Sequence, residues 1–232
     1  MNFYVATAWE LYAAYIGEKP IPPAPFTPWA DTLLYLPLTE DTNDHSWNWY
    51  NPTATNVSIT TVGSISCWYF NAWKLQFSQF ATMSSIDFTV LVWVKFNSQW
   101  QPHSFISTWS AGADKLLNFR TNNNTTWFNF WWYWDDLSVS QTLSTSSWQL
   151  VTATYNHSTK YWVIYYNWSS IWTKTYSNPN VTANPIYVWV NAEVPNNSNY
   201  MFRWYMSQYI LENKVWTDTE ILDYYNATKE NY

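Results

Sequence analysis

The sequence predicts an all-β protein, a two-sheet antiparallel β-sandwich with one short C-terminal helix. Three observations carry this. Residues 88–96, FTVLVWVKF, set Phe88, Val90, Val92, Val94 and Phe96 against Thr89, Leu91, Trp93 and Lys95, the period-2 pattern of a strand with one continuous apolar face. Residues 148–155, WQLVTATY, alternate in the same way and are rich in β-branched residues, which makes them the expected partner strand. Thr217 and Glu220 form a Thr-x-x-Glu capping box, and Ile221, Tyr224 and Tyr225 then share one helical stripe.

Each element follows from local chemistry. Two strands with a common apolar face need a second sheet to cover it. Leu91 and Trp93 give residues 88–96 a second, half-apolar face, so this strand is expected at the centre and not at an edge. Residues 1–19 hold two short alternating runs, FYVAT and LYAAYIG, and predict a β-hairpin. Residues 20–30 predict a proline-rich, extended linker, and residues 31–232 the sandwich. Within the sandwich, NPNVTANP and VPNNSN supply turn signals at spacings of about 8–12 residues.

Composition excludes several classes. The formal net charge is -6, only 11% of residues are charged, and Arg occurs only at Arg120 and Arg203. No basic patch exists to neutralise phosphates, so nucleic acid is not an expected partner. The lone Cys67 excludes an internal disulfide and a cysteine-rich zinc site. No run approaches the roughly 18 apolar residues of a membrane span, so insertion is not expected. The opening MNFYVATAWELYAAYIGEKP lacks the basic start and apolar core of a signal peptide. With a polarity carried by Asn, Ser and Thr, this predicts an extracellular, cell-surface or virion location reached as a fragment, by an unusual export route or by lysis.

The glycines are too few. The chain holds 3 Gly and 20 Trp, whereas average usage of about 7% predicts roughly 16 Gly. Turns need residues that tolerate φ > 0, and Trp stands in several such places, including DTNDHSWNWYN and YYNWSSIW. One reading is that a codon, UGA, is written as Trp where the organism inserts Gly. It would apply to Trp9, Trp47, Trp49, Trp68, Trp73, Trp100, Trp109, Trp131, Trp132, Trp134, Trp162, Trp168, Trp172, Trp189 and Trp204. Trp93, Trp148 and Trp216 sit in apolar patterns and read as genuine, while Trp29 and Trp127 stay undecided. The other reading is a Trp-rich glycan binder with aromatic platforms.

From residue 31 onward the pattern resembles the concanavalin A-like, laminin G-like jelly-roll family over about 200 residues. LLYLPLTEDTNDHSWNWYN resembles its opening strand and Ser-Gly-Asn-Gly turn, with Trp47 and Trp49 where the family has glycines. CWYFNAWKLQF, FTVLVWVKF, SSWQLVTATYN, YWVIYYNWSSIWTKT and the closing MFRWYMSQYILENKVWTDTEILDYYNAT follow in the family's order. The first hairpin is similar to those that precede binding domains in phage tail proteins.

The resemblance implies a recognition function and raises the question of catalysis. Glucanases on this fold carry paired carboxylates on one strand, and no such run exists here; near that place SSIDFTV has Asp87 alone. His45, His103 and His157 lie scattered in polar turns without a nucleophile motif. No catalytic residue is expected. Asp41, Asn43 and Asp44 supply hard oxygens within one loop and are a candidate Ca²⁺ site; the alternative is that the two aspartates cap the turn. Asp135 and Asp136, and Glu193 with Asn196 and Asn197, are further loop candidates. Glycan contacts would come from the same loops, with Trp127 or Tyr133 stacking. The expected function is a non-catalytic module recognising glycan or another surface ligand on a phage tail, virion or cell surface, self-associating through its N-terminal region. The alternatives are a purely structural virion or surface domain and a glucanase-type hydrolase.

Overall fold

A computed structural model describes residues 26–38, 41–78, 82–96, 103–108, 117–121, 127–131, 137–176, 181, 185–188 and 205–232. Thirteen strands lie among these residues: β1 (Thr32–Leu36), β2 (Thr53–Val62), β3 (Ile65–Phe77), β4 (Phe88–Lys95), β5 (His103–Thr108), β6 (Leu117–Thr121), β7 (Trp127–Trp131), β8 (Leu137–Ser140), β9 (Gln149–Asn156), β10 (Tyr161–Tyr166), β11 (Ser169–Thr175), β12 (Ile186–Val188) and β13 (Tyr205–Glu212). One helix, α1 (Asp218–Thr228), follows. No helix among the described residues is long and apolar enough to cross a membrane. The fold is the all-β antiparallel sandwich with a short C-terminal helix that the sequence predicts.

The pairing runs β11-β10-β9-β4-β13-β3-β12-β5-β6-β7-β8. The long strand β3 joins the two layers. Along one edge it pairs with β2, a hairpin closed by Gly63 at φ 67°, a left-handed turn position where glycine has no steric cost. Along the other edge Trp68 and Tyr69 pair with β13, and Leu75 to Phe77 pair with β12. The strand therefore serves one layer with its first half and the other layer with its second.

Strand β4 occupies the centre, between β9 and β13, with Phe88 opposite Tyr155 and Val92 opposite Val151. Phe88, Val90, Val92 and Val94, with Phe96 just beyond, enter the core between the layers, where they meet Phe105, Phe119, Tyr155, Trp162 and Tyr209. Phe88 packs edge-on to Trp162 at 5.0 Å, and Tyr155 stacks on Trp162 at 4.4 Å. Leu91 and Trp93 face a second cluster, with Ile221, Tyr224, Trp216 and Phe26. There Trp93 stacks on Tyr232 at 4.3 Å and on Tyr225 at 5.7 Å, and its Nε1–H donates to Thr228. Helix α1 starts as the sequence predicts: the Thr217 side chain accepts from the Glu220 N–H while the Glu220 carboxylate accepts from the Thr217 N–H.

A buried carboxylate fastens the chain's entry to this body. Glu212, at the end of β13, is fully buried and accepts from Thr32 Oγ1 at 2.7 Å, Trp29 Nε1 at 2.7 Å and Trp216 Nε1 at 3.3 Å. Phe26 is buried beside it. Residues 26–30, assigned by sequence to the linker, thus pack onto the sandwich, while the expected hairpin at 1–19 lies outside the described residues.

The tryptophans divide by environment. Trp93, Trp148 and Trp216 are buried, as genuine core residues should be. Among those suspected of standing for glycine, Trp47, Trp49, Trp168 and Trp172 are exposed, and Trp49 has φ 56°. Trp162 and Trp68 depart from the turn placement expected of them, because both are buried in the core between the layers. Trp73 and Trp131 lie in β3 and β7. Trp9, Trp100, Trp109, Trp132, Trp134, Trp189 and Trp204 lie outside the described residues. In the β10–β11 turn the left-handed residue is Asn167 at φ 58°, one position before Trp168.

These environments predict opposite signs for two substitutions. Trp162→Ala should cost about 3–5 kcal/mol by removing a large buried ring. Trp49→Gly should stabilise by about 1 kcal/mol, because a β-carbon is strained in the left-handed region. Urea unfolding of both variants measures this, and a neutral Trp162→Ala would remove the ring from the core. A pH series tests Glu212. Burial raises its pKa above the ordinary 4.5 despite the hydrogen bonds from Thr32, Trp216 and Trp29 that oppose the shift, with Asp31 adding to it. A raised acid binds its proton more tightly in the folded state, so its contribution is full below pH 4.5 and is lost as pH rises through the folded value. Wild type should lose stability over that rise relative to Glu212→Gln, whose curve lacks the term.

Candidate functional site

The loop at residues 41–50 follows β1 and is built around Asp44. This carboxylate is buried, and each of its oxygens accepts two donors. Oδ1 takes the N–H groups of Tyr35 (3.0 Å) and Ser46 (2.9 Å). Oδ2 takes the Ser46 hydroxyl (2.8 Å) and the Tyr50 N–H (2.7 Å). The Asp44 N–H in turn donates to Asn51 Oδ1, and Asn48 Nδ2 donates to Thr32 O and Leu33 O, holding the loop against β1. A short acidic side chain can bond nearby backbone donors in this way, which is why aspartate suits irregular loops.

The groups that remain accessible lie on the rim. Asp41 accepts from the Asn43 N–H at 3.0 Å, from Asn43 Nδ2 at 2.8 Å and from His45 Nε2 at 3.0 Å. A carboxylate only accepts, so the His45 proton sits on Nε2. Desolvation works against the charge on Asp41, but the hydrogen bonds from His45 and Asn43 outweigh it and hold its pKa below the ordinary 3.8. Trp47 and Trp49 project from the loop, each 73% exposed. Together with Thr27, Pro28, Asp41, Asn43, Asp44, His45 and Ser46 they line an open pocket of about 380 Å³. Trp47 Nε1–H reaches Pro28 O at 3.4 Å across it.

The structure therefore brings Asp41, Asn43 and Asp44 into one loop, as the sequence suggests, and gives the two aspartates different work. The four bonds on Asp44 are those of a turn cap, with the carboxylate already saturated by protein donors. Among the described residues no group of three or more His, Cys, Asp or Glu is placed to hold a metal ion. Sequence reasoning did not single out His45, Trp47 and Trp49 as ligand contacts; the signal was their spacing within a polar, Asn-rich turn. Of the other candidates, Trp127 opens β7, while Tyr133, Asp135, Asp136, Glu193, Asn196 and Asn197 lie outside the described residues.

No protein-family model matches the sequence, and no curated protein matches it. Solved structures match in fold. The binding domain of Paraclostridial Mosquitocidal Protein 1 aligns with a TM-score of 0.65 at 14% identity, covering 85% of this chain and 52% of that one. The binding domain of botulinum neurotoxin DC in complex with SialylT gives 0.62 at 14% identity, with the same coverage. Domain 4 of AbnA, a GH43 extracellular arabinanase from Geobacillus stearothermophilus, in complex with arabinotriose, gives 0.66 at 12% identity, covering 84% of this chain and 98% of that one. The chain spans about half the length of the toxin binding domains and nearly all of the arabinanase domain. These likenesses are in fold, an antiparallel two-sheet β-sandwich.

Asp44→Ala should destabilise the protein by about 3 kcal/mol, since four donors lose an acceptor and charged hydrogen bonds are worth about 1.5–3 kcal/mol each at most. Asp41→Ala should cost far less, its side chain being half-exposed. Denaturant titration of the pair distinguishes a structural Asp44 from a rim Asp41; equal effects would contradict the division.

Proposed function

We propose that the protein is a non-catalytic recognition module that binds glycan or another surface ligand at the 41–50 loop. One observation carries this: an open pocket in which the hydrogen-bonding set Asp41, Asn43 and His45 lies beside exposed indole rings. A sugar presents paired hydroxyls and an apolar C–H face, and such a site offers a polar group for the first and a ring for the second. The fold likeness to toxin binding domains and to a domain in complex with arabinotriose supports the reading, as does the saturation of Asp44, which leaves it unsuited to act as a nucleophile beside Asp41. Kinship with the laminin G-like family, a phage tail, virion or cell-surface setting, and self-association through the N-terminal region belong to the same proposal. So do auxiliary contacts from Trp127, Tyr133, Asp135, Asp136, Glu193, Asn196 and Asn197.

The glycine reading belongs here too. The left-handed φ of Trp49 supports glycine at that position in the protein as made, whereas the burial of Trp162 and Trp68 supports genuine tryptophan at those two. The polar set is common to both versions of the loop. With Trp at 47 and 49 a sugar stacks on the rings; with Gly it approaches the backbone and Asn43 more closely.

A glycan array probed with the sequence as given and with Trp47→Gly/Trp49→Gly tests the site. Binding to neutral oligosaccharides is expected from at least one version, and Asn43→Ala or His45→Ala should weaken it about tenfold, or about 1.4 kcal/mol. Chelation should leave binding intact if Asp44 is a turn cap; loss on chelation would restore Asp41, Asn43 and Asp44 as a Ca²⁺ site. Failure of both versions on every glycan, with a large self-association interface, would favour a structural domain. Sugar hydrolysis would overturn the non-catalytic reading.

A further inference from the structure

A second pocket, of about 540 Å³, opens between residues 26–29 and helix α1. Its walls are Phe26, Trp29, Trp216 and Tyr224, and its rim carries Glu220 and Asp223. Among the described residues no Lys, Arg or His lines it. It shares Thr27 and Pro28 with the pocket of the 41–50 loop and no other residue.

The aromatic walls form one connected cluster. Phe26 lies 5.2 Å from Trp29 and 6.4 Å from Trp216, Trp29 lies 6.1 Å from Trp216, and Trp216 meets Tyr224 edge-on at 5.7 Å. Their polar ends are already engaged away from any ligand. Both indole N–H groups donate to buried Glu212, and the Tyr224 hydroxyl donates to Gln208 at 2.7 Å. Of these rings Trp29, 42% exposed, offers a ligand an open apolar, π-electron-rich surface, while Phe26, Trp216 and Tyr224 are buried behind it and offer only the little surface that remains. Trp29 already accepts a cation there: Lys214 Nζ lies 5.9 Å from its ring centroid. Of the two rim carboxylates, Glu220 is committed to Lys214 and to the helix cap. Asp223 is exposed and makes no hydrogen bond or ion pair among the described residues.

We propose that this pocket is a ligand site for an organic cation, an alkylammonium group of the trimethylammonium type. Aromatic rings within about 6 Å of a cationic centre attract it through their quadrupoles, most strongly in Trp. A quaternary ammonium carries no N–H, so it needs no acceptor from the walls, and its methyl groups match their apolar character. Asp223 supplies the long-range charge. An anionic ligand would meet the unpaired Asp223 carboxylate, Glu220 being neutralised by Lys214, and a neutral sugar would find few free hydrogen-bonding groups. The pocket's size falls within the range of small-molecule sites. Trp29, left undecided by the sequence, is required as tryptophan by this account, because its N–H satisfies Glu212.

The test uses the full chain, choline chloride as probe and its uncharged isostere 3,3-dimethylbutan-1-ol as control. Calorimetry should give a choline Kd of about 1 mM and binding of the isostere at least about tenfold weaker. In ¹⁵N-edited spectra choline should shift the indole resonances of Trp29 and Trp216. Asp223→Asn alters an exposed side chain and should keep the fold while weakening choline about three- to tenfold. Trp29→Leu should abolish the Trp216 shift, with near-UV circular dichroism reporting the fold. Equal affinity for choline and the isostere, unchanged affinity in Asp223→Asn, or no binding at all, each overturns the proposal. None of these outcomes bears on glycan binding at the 41–50 loop.

Discussion

A strand that is apolar on both faces must be covered twice, and the rest of the structure follows from that requirement. All of β4 except Lys95 is buried. Its Phe88, Val90, Val92 and Val94 face needs the opposing layer, which arrives because β3 is long enough to pair with β13 at one end and β12 at the other. Its Leu91 and Trp93 face needs a different cover. A third sheet would leave new edges unpaired; the chain instead lays one short helix and its own C-terminus, Tyr232, over Trp93. The sandwich core and the helix dock are two sides of one strand.

The helix dock in turn depends on polar groups placed within apolar surroundings. Glu212 lies where β13 leaves the sheet, and three donors from two segments, the turn at residues 29–32 and Trp216, converge on it. An unpaired carboxylate there would be costly. The donors therefore fix the entry of the chain at Trp29 and the approach to α1 at Trp216. The same arrangement directs indole N–H groups inward and leaves aromatic surface around the pocket beside the helix. Asp44 does for the 41–50 loop what Glu212 does for the helix dock: Glu212 gathers side-chain donors, and Asp44 gathers mainly backbone N–H groups. Both candidate pockets share Thr27 and Pro28, just ahead of the Trp29 anchor.

Among the described residues, positive φ touches only one of the tryptophans suspected of standing for glycine. Leu38, Trp49, Lys160, Asn167 and Gln208 all adopt positive φ. Asn167 suits that region through its short polar side chain, and here it also exchanges hydrogen bonds with Leu150. Gln208 is held there by a bulge in the β4–β13 pairing and by its N–H bond to Pro37 O. Trp49 has no comparable anchor for its ring, which stands 73% exposed. Trp162 sits at the other extreme, wedged between Phe88 and Tyr155. Tryptophan excess alone therefore does not have one structural meaning along this chain.

Local pattern by itself determined the all-β class, the central strand read at 88–96, its pairing with residues 148–155 and the capped helix at Thr217. Each rests on periodicity or on hydrogen bonds within a few residues, which survive in a linear reading. The two aspartates of the 41–50 loop were also legible as a cluster, because they are close in sequence. Tertiary structure alone decided that Asp44 is saturated while Asp41 stays on the rim, since the Tyr35 donor comes from another element. It also decided that Trp162 belongs to the core, that residues 26–30 pack on the body, and that Glu212 binds Trp29 across 183 positions of sequence. Burial and long-range hydrogen bonds depend on which segments the fold brings together, and no window of sequence carries that information.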